Sequence, residues 1–175
     1  TPIPRAHWAV EEYMRASGLA WTMVKPNFFM QNLLASAKSI REQGRFSLPM
    51  GGGTTGMADA RDIGAVCAEV PIGKGHAGKS YEITGPEVLT FNQVAERFSE
   101  VLGRKIEYVP MPMAQFRERM TGVLKPWHLD AVCALFQEIA DIGLDHTTDT
   151  FRKLIGRDPI PLRQFIADHA ALFRT

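Results

Sequence analysis

Apolar positions along this chain recur in two rhythms, one every three to four residues and one in short unbroken runs, and their order predicts the elements. Ala6, Val10, Tyr13 and Met14 keep a helical stripe through Arg5–Ser17, and Gly18 ends it. Trp21 to Val24 read as a strand buried on both faces, closed by Pro26. Phe28 to Gln43 read as one long helix, with Leu33, Leu34, Ala37 and Ile40 on one face and Gly44 as its stop. Short extended pieces are expected over 45–49 and 56–58, with a glycine turn at 51–55 between them. Asp59 or Asp62 caps a helix that reaches about Val70. Ser80 to Thr84 form a strand closed by Gly85-Pro86. Thr90-Phe-Asn-Gln93 is a capping box opening a helix to Leu102, which Gly103 ends. Ile106 to Val109 alternate like a strand, and four helical segments come after it, over 113–120, 126–142, 148–155 and 162–173.

The pattern is α/β over residues 1–110 and mainly helical over 111–175. A run such as Trp21–Val24 wants cover on both faces and a partner on each side. The remaining strands are few, short and widely spaced, so the pattern predicts either more sheet than these residues supply or association through an exposed sheet edge.

Composition narrows the function classes. The chain has 175 residues, 45% of them hydrophobic and 22% charged, which suits an ordinary globular core. A net charge of +1 gives no electrostatic argument for nucleic acid or an anionic membrane. No apolar run of about 18 residues and no secretory signal are visible, so a cytoplasmic protein is expected. Cys67 and Cys133 sit in apolar helical contexts and read as buried thiols rather than a bridge. The chain starts Thr-Pro-Ile-Pro without an initiator Met, so a processed or truncated product is an expectation.

Two glycine-rich stretches imitate nucleotide motifs. Gly73-Lys-Gly-His-Ala-Gly-Lys-Ser80 matches a P-loop, but a P-loop must open a helix, and the next residues form a strand. Gly51-Gly-Gly-Thr-Thr-Gly56 matches G-x-G-x-x-G, but it lies between two extended pieces and Asp59 comes almost at once. Both are expected to be turns. His7 and Glu11, four residues apart on one helix face, can meet as an oriented imidazole or as a plain surface pair. Asn27, at the carboxyl end of a strand, offers a carboxamide to a ligand or caps the next helix. Phe28 and Phe29 either wall an apolar pocket or join the core, and Gln31 and Asn32 suit buried hydrogen bonding. His128, His146 and His169 show no metal-ligand spacing, so no metal is expected. No Gly-x-Ser-x-Gly elbow is present. Phe116, Met120, Trp127 and Phe136 read as core, with a minority lining a pocket.

His7-Trp-Ala-Val-Glu11-Glu-Tyr-Met-Arg-Ala-Ser-Gly-Leu and Trp21-Thr-Met-Val-Lys-Pro-Asn-Phe-Phe-Met-Gln-Asn32 resemble the NmrA-like, atypical short-chain dehydrogenase/reductase family. Met57-Ala-Asp-Ala-Arg-Asp62, Tyr81-Glu-Ile-Thr-Gly-Pro86, Leu102-Gly-Arg104 and Leu154-Ile-Gly-Arg157 continue the resemblance in order. It implies an incomplete Rossmann-like, doubly wound sheet, the back half of the usual domain, with a helical substrate-side lobe. It also implies NADP or NAD as cofactor, a small-molecule substrate, and hydride transfer to a quinone or carbonyl compound. His7 would lie near the ribose or nicotinamide and is the candidate catalytic residue. Pro26, Asn27 and Phe28 would border the nicotinamide ring. Phe29, Asn32, Phe116 and Trp127 would face substrate. The glycine-rich phosphate loop has no counterpart here, so tight dinucleotide binding and activity by this chain alone are not expected. Lys25 stands where many members carry Arg, and no Tyr-x-x-x-Lys pair appears. A redox-sensing regulatory module and a self-associating structural protein are the alternatives.

Overall fold

The computed structural model describes residues 1–174. Helix α1 (Pro2–Ala16) leads into strand β1 (Thr22–Pro26). A 3₁₀ segment (Met30–Ser36) runs on into α2 (Ala37–Gln43), which Gly44 ends in the left-handed conformation at φ 66°. Strands β2 (Arg45–Phe46) and β3 (Thr54–Thr55) precede α3 (Ala60–Ile72). Strands β4 (Lys79–Ile83) and β5 (Leu89–Thr90) precede α4 (Phe91–Leu102) and β6 (Glu107–Tyr108). The rest is helical: α5 (Met113–Met120), α6 (Pro126–Ile142), α7 (Thr150–Ile155), α8 (Leu162–Asp168) and α9 (Ala170–Phe173). The protein is α/β, with small sheets of two strands each. Strands β1 and β4 pair in parallel, Thr22 opposite Lys79 through Pro26 opposite Ile83. Strands β2 and β6 also pair in parallel, and β3 and β5 antiparallel.

The main core lies between α4, the 3₁₀ segment, α2 and the last helices. Phe98 is fully buried, edge-on to Phe173 with centroids 4.9 Å apart and tilted against Phe46 at 6.0 Å. The Thr90–Gln93 capping box forms as expected: Gln93 N–H donates to Thr90 Oγ1 at 3.2 Å, and Thr90 N–H donates to Gln93 Oε1 at 2.9 Å.

The structure corrects or qualifies five points. The apolar stripe of α1 is not core: no α1 residue is buried, and Tyr13 is 78% exposed. Helix α1 touches the body chiefly along α6 and through a Lys25–Glu11 ion pair at 2.6 Å. Strand β1 is not buried on both faces. Only Met23 is buried, because β4 is its one paired neighbour among the described residues. The long helix expected over Phe28–Gln43 is interrupted at its start by a bridge pairing Phe29 with Ala58, and it tightens to 3₁₀ before becoming α. The last helix breaks at His169, whose Nδ1 lies 2.8 Å from Phe165 O. Cys67 is exposed on α3, whereas Cys133 is buried, and both are free thiols.

Candidate functional site

The two parallel strands end together, β1 at Pro26 and β4 at Ile83, and the chain beyond them is stitched edge to edge. Asn27 N–H extends the ladder by donating to Ile83 O at 2.9 Å. Residues 56–58 then thread between the two strand-end loops. On one side Ala58 N–H donates to Phe28 O and Met30 N–H donates to Ala58 O, both at 2.9 Å. On the other side Gly85 N–H donates to Gly56 O at 3.1 Å. A Cβ on Gly85 would land on the Met57 carbonyl, and one on Gly56 would lie 2.8 Å from His146 O. The two glycines are therefore what lets three backbones meet here.

Asn27 is half-buried at this junction. Its Oδ1 accepts from Phe28 N–H at 2.6 Å and from the fully buried Thr55 hydroxyl at 3.2 Å. The oxygen end is pinned, and its amide N–H groups have no acceptor among the described residues. Asn27 does not cap the next helix, because the N-cap of the 3₁₀ segment is Phe29. The Phe28 ring packs in the core against Phe91 and Phe136, at 6.3 and 6.4 Å. Of the two rings, Phe29 is the one that reaches solvent, and Pro26 and Asn32 are also exposed.

Two buried carboxylates secure this end of the sheet. Asp59, 0% exposed, is the N-cap of α3. It accepts from Arg61 N–H at 2.8 Å, from the Arg61 guanidinium at 3.0 and 2.8 Å, and from Gln31 Nε2 at 3.0 Å. Gln31 Oε1 in turn takes the Ala60 N–H at 3.0 Å, so a side chain of the 3₁₀ segment helps to cap α3. Burial pushes the Asp59 carboxyl up, but its hydrogen bonds outweigh it and hold the group below the ordinary range. Asp59 and Asp168 hold the Arg61 guanidinium firmly in its charged form. Asp62 is also buried and accepts from Arg157 at 2.8 Å and from Ile160 N–H at 2.6 Å. Of the two candidate caps, Asp59 takes the role. The spacing of the two aspartates in Met57-Ala-Asp-Ala-Arg-Asp was the sequence signal; Arg61, the main partner of Asp59, lies within it, but the partners of Asp62 lie about a hundred residues away along the chain and left none.

His7 is exposed on α1 and does not pair with Glu11. Glu11 is bonded instead by Lys25 at 2.6 Å and Arg15 at 3.0 Å, which together hold its carboxyl below the ordinary range against the opposing pull of desolvation. Trp127 is 69% exposed at the start of α6. Phe116 lines a cavity of about 440 Å³ between the end of the 3₁₀ segment, α2, β2, residues 109–111 and α5, and Phe29, Asn32 and Trp127 do not. The expected pocket residues are thus not brought together. Neither glycine motif opens a helix, but the turn expected over 51–55 is only partly one, because Thr54–Thr55 form β3. Gly73–Ser80 runs straight into β4, and Gly53 is a glycine because a Cβ there would strike the Ile139 carbonyl.

Parallel strands β1 and β4, joined by a crossover that includes α2 and α3 and followed by a polar loop at their carboxyl ends, make this an α/β protein. The chain belongs to the NmrA-like family, whose model matches residues 5–157. It is 38% identical over 176 residues to the NAD(P)H azoreductase of Xenophilus azovorans, a match covering 99% of this chain and 62% of that protein. It superposes on the crystal structure of an NADPH-dependent quinone oxidoreductase from Escherichia coli with a TM-score of 0.83 and 27% identity, over 95% of this chain and 61% of that one. The Citrobacter triphenylmethane reductase complexed with NADP(H) shares the fold, with a TM-score of 0.81 at 22% identity over 97% of this chain and 60% of that one. The chain therefore spans about three fifths of the length of these relatives.

Proposed function

We propose that these residues form the nicotinamide- and substrate-facing wall of an NAD(P)-dependent oxidoreductase, as the back half of a Rossmann-like sheet followed by a substrate-side lobe over 111–175. The reaction is hydride transfer to a small electrophile, a quinone or carbonyl compound. The observation that carries this reading is Asn27. Its carboxamide is locked by Phe28 and Thr55 at the end of two parallel strands, with its N–H donors left over. The acceptor that suits them is the carboxamide oxygen of a nicotinamide, and Pro26 and Phe29 offer the flat apolar surface beside it. The cofactor, when bound, supplies the hydride. The protein's part is to fix the ring's orientation and keep water from one of its sides. Family membership and the likeness to an azoreductase and a quinone oxidoreductase support the reaction class.

Neither glycine stretch opens a helix, so these residues supply no cradle for the pyrophosphate. The 175-residue chain therefore binds NADPH weakly. Amide chemical shifts read during titration with reduced nicotinamide mononucleotide test both points. Perturbations should centre on Asn27, Phe29 and Thr55, and they should vanish in Asn27→Ala. Perturbations centred elsewhere overturn the reading, and micromolar NADPH affinity overturns the prediction of weak binding. A second reading, self-association without catalysis, draws on the exposed Trp8 and Tyr13 of α1 and on an edge of β1 that is unpaired among the described residues. Sedimentation showing a monomer across concentration would remove it.

A further inference from the structure

The cavity that holds Phe116 has a composition the cofactor reading does not use. Its apolar lining comes mainly from Phe46, Phe116, Met111 and Met120. Rings and thioethers of this kind suit a flat, polarisable body. Its volume of about 440 Å³ is that of a small-ligand site. Two guanidiniums, Arg45 and Arg119, are among the lining groups, and no carboxylate is. Arg15, Arg61, Arg97, Arg117, Arg157 and Arg163 each hold a carboxylate at ion-pair distance. Arg45 bonds only the neutral Gln43 Oε1, at 3.1 Å, and Arg119 has no hydrogen-bond or ion-pair partner among the described residues. Glu107 feels the charge of Arg45 but is itself paired with Lys105 at 2.5 Å. Two of the three serine hydroxyls are already spent: Ser39 donates to Ser36 O at 3.0 Å and Ser47 to Val109 O at 2.6 Å. The charged donors left to a ligand are two exposed guanidiniums, whose planar forks match an oxyanion.

We propose that this cavity binds a flat aromatic anion, its rings against Phe116 and the methionines and its sulfonate or carboxylate held by Arg45 and Arg119. The site stands apart from Asn27 and needs no dinucleotide. The probe is 1-anilinonaphthalene-8-sulfonate, titrated by fluorescence into the full chain, with uncharged N-phenyl-1-naphthylamine as the control. Arg45→Glu and Arg119→Glu, both at exposed positions, should each weaken sulfonate binding about tenfold and leave the neutral compound within about twofold. Arg119→Lys, which keeps the charge, should lose less. Sulfonate-induced amide shifts should fall on Ser47, Met111 and Gln115. The proposal is overturned if the parent chain binds no sulfonate, if both reversals leave sulfonate affinity unchanged, or if the shifts fall on α1 around Trp8 and Tyr13. A failure at Asn27 leaves all these readouts unaffected, so the two sites are tested separately.

Discussion

Asp59→Ala removes a buried carboxylate that caps α3 and ties it to Gln31 beyond the strand-end loop. The lost N-cap at Arg61 N–H costs about 1 kcal/mol. Gln31 Nε2 and the Arg61 guanidinium also lose an ionised acceptor, which in a buried setting costs about 1.5–3 kcal/mol per bond. That figure is discounted here, because Arg61 is exposed, keeps Asp168 at 2.6 Å and can turn to water. The sum is about 2–3 kcal/mol. Asp59→Asn separates cap from charge. Its Oδ1 still accepts from Arg61 N–H, so it should cost only about 1 kcal/mol. Urea unfolding followed by circular dichroism reads both, with an unchanged slope showing that the native state is intact. The pH dependence gives a second arm. The Asp59 carboxyl lies below its ordinary range in the fold, although desolvation alone would raise it. At acid pH the fold thus binds fewer protons than the unfolded chain. The carboxylate's stabilisation is complete above about pH 5 and falls away from about pH 4 downward, through the depressed folded value. The gap between parent and Asp59→Asn should close over that window. A cost for Asp59→Ala under about 0.5 kcal/mol, well short of a buried cap, refutes the reasoning, as does a gap unchanged from pH 7 to pH 3.

Two further perturbations probe the same end of the molecule. Asp62→Ala strands the Ile160 N–H and should cost about 2–3 kcal/mol, whereas Arg157→Ala leaves that bond in place and should cost about 1 kcal/mol, both read by urea unfolding. Gly85→Ala drives a methyl into the Met57 carbonyl and should lower stability by about 2 kcal/mol or more. Gly64→Ala has open space in the interior of α3 and should raise stability by about 0.5–1 kcal/mol; equal effects of the two glycine changes would refute the backbone-contact argument.

Legibility in the sequence tracked the range of the interactions. Helix α4 could be read almost to the residue, because its capping box, its apolar face and the glycine at its end are all local. The two false nucleotide motifs could be rejected for the same reason, since the few residues after each already favour extended chain over a helix. The stripe on α1 misled, because periodicity says that a face is apolar and not that anything packs on it. The break before the 3₁₀ segment was invisible: Phe29 is diverted by a pairing with Ala58, far along the chain. At the site, Asn27 could be singled out from its place after a strand. The pinning of its oxygen by Thr55 and the meeting of Arg45 with Arg119 in one cavity could not, since each depends on distant segments converging.

The segment Met30–Ser36 connects the two candidate sites. It starts at the strand end, where Met30 N–H is committed to Ala58 O and Gln31 to Asp59 and Ala60. It finishes at Ala35 and Ser36, which line the cavity of Phe116. Buried Met30 and Leu33 fix its inner side, while Asn32 and Ala35 face out. A 3₁₀ turn at this length has poorer hydrogen bonds than an α-helix, so its conformation depends on what holds its ends. One end is held by a carboxylate whose charge is kept by Arg61, and the other continues directly into α2. The spacing between the strand-end loop and the Phe116 cavity is therefore set by the anchoring of this segment. Asp59 touches neither proposed ligand, yet it is the residue through which a change at the start of α3 would reach both.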